Sequence, residues 1–198
     1  MLSWRKWVRK AAGRWATNRK ADHRRWSHRS RSVEPLEVRT LLSADLGYAF
    51  RLGANNLAEF ATAVASDAAG NTYVAGGFSG TVDFDPGAGT VNLTSSGFTD
   101  NFVTKFSPTG NLLWARSFGS LLPESVAGIA VGSDGSVYIT GMFSVTTDFN
   151  PGAGIFNIGV APNSIAAFVS KVDSTGRFLW AKSFGDGAGT DVRQIAVD

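Results

Sequence analysis

Apolar and polar positions alternate with a period of two through much of residues 45–198. Leu112, Trp114, Arg116 and Phe118 share one face of an extended segment, and Leu113, Ala115 and Ser117 share the other. The same register returns at Phe178, Trp180, Lys182 and Phe184. β-Branched or alternating runs at about 61–66, 71–78 and 101–106, with 111–118, predict four strands per unit. Between them, Asp67 to Gly70, Ser107 to Gly110 and Asp173 to Gly176 each set a turn-starting side chain three residues before a glycine. That spacing predicts a type I turn closed by a left-handed glycine, joining adjacent antiparallel strands. Ser133 to Gly135 reads as a shorter form of the same turn.

These elements repeat. TVDFDPGAGTVNL at 81–93 returns as TTDFNPGAGIFNI at 146–158, with eight of 13 positions identical at an offset of 65 residues. Tyr73 aligns with Tyr138, Phe102 with Phe168 and Leu112 with Phe178, the last two pairs at an offset of 66. One residue is therefore inserted between Asn92 and Phe102, in a loop, where a packed repeat tolerates it. Four-stranded antiparallel units at a fixed period predict an all-β fold, a partial β-propeller. Its two complete four-stranded blades span about residues 58–119 and 124–185, with flanking strands on either side. Residues 48–53 align with 114–119 as an outer strand, and residues 190–198 begin a third unit. Closed rings take about four to eight blades. The expectation is a truncated part of a longer protein, with self-association of chains as the other way to complete a propeller.

Charge divides the chain. Residues 1–44 hold 12 Lys or Arg against three acids, a net charge of +9, while residues 45–198 hold seven against 13, a net charge of −6. Residues 1–45 are accordingly read as a basic leader, disordered or helical, and 46–198 as the propeller repeats. Trp4, Trp7, Val8 and Trp15 recur among leader cations at roughly helical spacing. They would suit an anionic surface or nucleic acid, but short isolated helices are marginal in water, so a solvated extension is favoured and nucleic acid is not. The leader has the positive start of a secretory signal without its apolar core. No apolar run reaches the roughly 18 residues of a membrane-spanning helix. Cysteine is absent, which excludes disulfides and thiolate sites.

Two resemblances follow from these residues. DAAGNTYVAGGFSGTVDFDPG and NFVTKFSPTGNLLWARSFG, with their second copies, resemble the bacterial β-propeller repeats known as SBBP over roughly residues 46–198. VEPLEVRTLLSAD at 33–45 resembles the LEPR-XLL segment near the N-termini of large planctomycete proteins, although Leu36, Glu37 and Val38 separate Pro35 from Arg39 where the usual form is more compact. The first resemblance implies a propeller in an extracellular or cell-envelope setting and assigns no catalytic residues. The second implies sorting or export.

The chemistry of the repeats points away from catalysis. No histidine follows His28, so a Ser-His-Asp site in the repeats is excluded, and no phosphate-binding glycine motif occurs. No catalytic residue and no organic cofactor is assigned. The expected function is a non-catalytic, exported or envelope module for binding or scaffolding, with a surface protein or glycan as partner. The competing class is a propeller enzyme, a polysaccharide lyase or hydrolase, with its active site in further blades. Asp83, Asp85, Asp148 and Asn150 place oxygens at alternate positions beside Pro-Gly, which invites calcium. Opposed to that stands a plain hairpin. Facing apolar residues pairs Phe84 with Val91, Asp83 with Asn92, Val82 with Leu93 and Asp148 with Asn157, so that an Asp–Asn hydrogen bond accounts for both retained residues. Lys105, Lys171, Arg116 and Lys182 keep positive charge in both copies. A sugar or anion site is one reading, and a solvated or cross-strand partner to an acid is the favoured one, with Asp100 beside Lys105 and Asp173 beside Lys171 as candidate neighbours.

Overall fold

The computed structural model describes residues 59–185 and 190–198. The leader and the outer strand expected at residues 48–53 lie outside the described residues. Twelve strands follow in order: β1 (Glu59–Ser66), β2 (Thr72–Phe78), β3 (Thr81–Asp83), β4 (Asn92–Thr94), β5 (Asp100–Phe106), β6 (Leu112–Phe118), β7 (Ser125–Val131), β8 (Val137–Phe143), β9 (Thr147–Asp148), β10 (Asn157–Ile158), β11 (Ala166–Val172) and β12 (Phe178–Phe184). Strands β1-β2-β5-β6 form one four-stranded antiparallel sheet and β7-β8-β11-β12 a second. Each carries a two-stranded hairpin, β3–β4 or β9–β10, between its second and third strands. This is the partial propeller expected from the repeat, with the predicted strand ends met to within about two residues.

The turns follow the punctuation. Gly70, Gly110, Gly135 and Gly176 have φ between 76° and 83°, a conformation that costs glycine no Cβ clash. Their amides donate to the carbonyls of Asp67, Ser107, Gly132 and Asp173 at 2.8–3.0 Å. The turn at Gly135 is therefore of full length and starts at Gly132, which corrects the shorter form expected there. Because Gly132 has no side chain, Asp134 takes over and accepts from the Ser136 amide at 2.9 Å.

Period-two alternation sorts the side chains of each sheet onto two faces, and these decide the packing. Tyr73, Ala75, Val103, Trp114 and Phe118 on one side of the first sheet meet Ile139, Phe143, Phe168 and Ala181 of the second, with Phe149 from its hairpin, in one core. Phe118 sits 5.9 Å from Phe149 and 5.8 Å from Phe168, ring centre to ring centre. The first strands of the two sheets, β1 and β7, lie against each other, and Gly119 bridges to Asp148 through the backbone. The opposite face of the first sheet holds a second cluster, Phe78, Val82, Phe84, Phe102 and Ala115.

Residues 190–198 carry no strand assignment, although a third unit was expected to open there. Gln194 nonetheless runs close beside β7, its Cα 3.1 Å from where a Cβ on Gly128 would lie.

Candidate functional site

The two hairpins carry the residues singled out for calcium. Val82 pairs with Leu93, Asp83 with Asn92 and Asp148 with Asn157, as the alternation requires. The amides of Phe84 and Phe149 donate to Val91 and Phe156 at 3.0 and 3.1 Å, extending each ladder by one step. The expected Asp–Asn hydrogen bond does not form. Asp83 Oδ1 accepts instead from the amides of Asp85 (3.0 Å) and Val91 (2.8 Å). Asp148 Oδ1 does the same for Asn150 (3.0 Å) and Phe156 (2.8 Å). The reason is local: where the hairpin widens into its loop, two amides lose cross-strand carbonyls, and one carboxylate oxygen can serve both.

Asp85 and Asn150 build the next part of the loop. Their Oδ1 atoms accept from the Gly87 and Gly152 amides at 2.8 Å each. A Cβ on Gly89 would come within 2.2 Å of Asp85 Oδ2, and one on Gly154 within 2.6 Å of Asn150 Nδ2. The PGAG segment is thus wrapped round the preceding Asp or Asn side chain, which accounts for the retained glycines. Among the described residues, no group of three or more His, Cys, Asp or Glu side chains is arranged to hold a metal ion.

The retained cations are placed differently from expectation. Lys105 Nζ lies 3.8 Å from Asp67 Oδ2 and 5.1 Å from the centre of the Tyr73 ring. Lys171 Nζ lies 3.5 Å from Asp134 Oδ2 and 4.7 Å from the Tyr138 ring centre. Asp100 and Asp173 are therefore not their partners. Asp173 caps its own turn, accepting from the amides of Thr175 and Arg177. Burial pushes the Asp67 carboxyl up, but hydrogen bonds from Asn71, Tyr73 and Ala69 outweigh it and leave Asp67 below the usual carboxylate range. Tyr73 is raised by its own burial and by its bond to Asp67.

A cleft of about 490 Å³ opens where the blades meet. Its walls are Ala115, Arg116 and Ser117 of β6, the loop from Asn150 to Gly154, and Gly176, Arg177 and Phe178 at the start of β12. Trp114 Nε1 donates to Ser174 O at 3.0 Å and Arg116 Nη2 to Thr175 O at 3.4 Å, which ties β6 to the last turn of the next blade. Arg116 Nη1 takes Ala115 O at 2.8 Å. Two of its five N–H donors are thereby used and three remain. Among the described residues, neither Arg116 nor Arg177 has a carboxylate within 4 Å. Phe178 packs on Phe156 at 4.8 Å, adding an apolar wall. Arg116 was legible as a retained cation. Arg177 was not, because it faces the cleft only through blade packing.

Sequence reasoning also missed a buried polar group at the same junction. Asp100, Asn101 and Glu124 are 2%, 0% and 4% exposed. Among the described residues, Asp100 Oδ1, both polar atoms of the Asn101 side chain and Glu124 Oε2 have no hydrogen-bonding partner. Burial raises both carboxyls, and Asp100 raises Glu124 further. The available signal was a mismatch between the copies, since Ala166 and Ala167 stand where the first blade has Asp100 and Asn101, and Val82 where the second has Thr147.

No protein-family model matches the chain. It is 32% identical over 111 residues to an uncharacterized WD repeat-containing protein of Acanthamoeba polyphaga mimivirus, covering 55% of this chain. It is 30% identical over 152 residues to the regulatory protein FlaEY of Caulobacter vibrioides, covering 76% of this chain. The chain spans 8% and 16% of the lengths of these relatives. With the two repeated sheets, this similarity marks a repeat-containing, multi-bladed all-β fold distantly related to WD-repeat proteins. Such a fold is consistent with a non-catalytic binding or scaffolding module. Among the described residues, no helix is long and apolar enough to cross a membrane.

Proposed function

We propose that this chain is a non-catalytic binding module, the SBBP-like part of a larger propeller working outside the cell or in its envelope, and that its interblade cleft takes an acidic surface glycan. The carrying observation is the cleft itself, where, among the described residues, Arg116 and Arg177 have no carboxylate within 4 Å, Asp173 acting on Arg177 only at longer range, beside the apolar walls of Phe178 and Leu93. Guanidinium groups match sugar carboxylates through paired N–H donors, while aromatic walls suit the apolar faces of sugar rings. The division into a leader (1–45) and repeats (46–198) belongs to this reading, as does export by the LEPR-XLL-like segment.

The test is titration of the full chain with polygalacturonate, using dextran as the uncharged control. The expected result is salt-sensitive binding of polygalacturonate alone, weakened about tenfold or more by Arg177→Ala, the loss expected for one charge-assisted contact. Equal binding of dextran, or unchanged affinity in Arg177→Ala, would overturn it.

A further inference from the structure

We propose that Asp100 and Glu124 bind a calcium ion at the junction between the two blades. The two carboxyls flank one short backbone segment. A Cβ on Gly119 would fall 2.5 Å from Asp100 Cγ, and the hydroxyl of the next residue, Ser120, hydrogen-bonds Glu124 Oε1. Thr147 Oγ1 approaches the same Glu124 oxygen at 3.1 Å. Each carboxyl thus keeps one oxygen engaged and one, Asp100 Oδ1 or Glu124 Oε2, buried without a partner.

The hydroxyls beside Glu124 are shared. Ser120 has one hydroxyl hydrogen to share between Glu124 Oε1 and Leu122 O. Thr147 has one to share between Glu124 Oε1 and Val145 O. The two hydroxyl hydrogens thus face three acceptors, and the further donors around the carboxyls, Ser96 and Gly97 at Asp100 and the Ser120 amide at Glu124, still leave Asp100 Oδ1 and Glu124 Oε2 unpartnered. A buried acceptor-rich group is costly as it stands, and a hard cation is what such a group accommodates. Calcium fits better than magnesium, because it takes carboxylate, amide, hydroxyl and carbonyl oxygens in flexible geometry, whereas magnesium demands a near-regular octahedron and keeps its waters.

This site uses none of the hairpin oxygens of Asp83, Asp85, Asp148 and Asn150, although Asp148 is a backbone neighbour of Gly119, and it does not repeat. The second blade replaces Asp100 and Asn101 by Ala166 and Ala167, both buried. One ion per pair of blades is the consequence.

The experiment is thermal unfolding of the full chain in a chelator and then in excess calcium, for the parent protein and for Glu124→Gln, Asp100→Asn and Asp85→Asn. Calcium a hundredfold above its Kd should raise the parent Tm by about 5–10 °C. Glu124→Gln and Asp100→Asn should fold without calcium at an equal or higher Tm, because each removes a buried charge, and should lose the calcium response. Asp85→Asn should keep it. No calcium shift in the parent, an equal shift with magnesium, a response retained in Glu124→Gln and Asp100→Asn, or one lost in Asp85→Asn would each overturn the proposal.

Discussion

Strands β6 and β12 carry the same pattern, Leu-Leu-Trp-Ala-Arg-Ser-Phe against Phe-Leu-Trp-Ala-Lys-Ser-Phe, and meet opposite fates. Phe118 is 6% exposed and Phe184 54%. Trp114 is buried and bonded to Ser174 O, whereas Trp180 is half-buried against Tyr138. Nothing in either strand causes this. Phe118 is covered because Phe149 and Phe168 of the following blade close over it, and among the described residues no sheet follows β12. Alternation therefore says which residues share a face, and the neighbouring blade says whether that face is dry.

Truncation should separate the two strands most sharply. Phe118→Ala opens a cavity in the core between blades and is expected to cost about 3–5 kcal/mol. Phe184→Ala is expected to stay within about 1 kcal/mol, since an exposed ring loses little apolar burial. Urea unfolding of both variants checks this, and equal losses would mean that β12 is as well covered as β6. A smaller contrast concerns the indole. Trp114→Phe removes the bond to Ser174 O and should cost about 0.5–1.5 kcal/mol, while Trp180→Phe should be nearly neutral by the same measurement.

The last contrast is read as a slope against pH. Asp100 and Glu124 have folded-state values above their ordinary ones. The native state then binds more protons than the unfolded chain between those values, so stability falls as pH rises through the raised pKa range. Asp67 is shifted the other way, and its contribution is present above the ordinary carboxyl range and lost as pH falls through its lowered value. Urea midpoints in chelator should therefore decline toward neutral pH in the parent and flatten there in an Asp100→Asn, Glu124→Gln double variant. An unchanged slope would show that neither carboxyl titrates abnormally.

Much of the fold was legible because it rests on local signals. Period two, a turn glycine after Asp67, Ser107 or Asp173, and facing apolar residues in the hairpins were enough to place strands, turns and register. Hydrogen-bond partners were far less so. Asp83 and Asn92 occupy the paired positions expected of them, yet the carboxylate turns to the amides of Asp85 and Val91, because loop amides in need of acceptors outcompete an exposed side chain. Lys105 and Lys171 were visible as retained cations, but their acids come from different positions of the same turn, Asp67 at its first position in one blade and Asp134 at its third in the other.

The sequence by itself determined the strands, the two four-stranded repeats, the hairpin register and the charge split between basic residues 1–44 and acidic residues 45–198. These depend on spacing between near neighbours and on charge, both written along the chain. Tertiary structure alone decided that Phe118 is dry while Phe184 is wet, that Arg116 and Arg177 share a cleft, and that Asp100 lies beside Glu124. Each of those depends on one blade's loops and strands meeting the next blade, a distance in space that no one-dimensional period encodes.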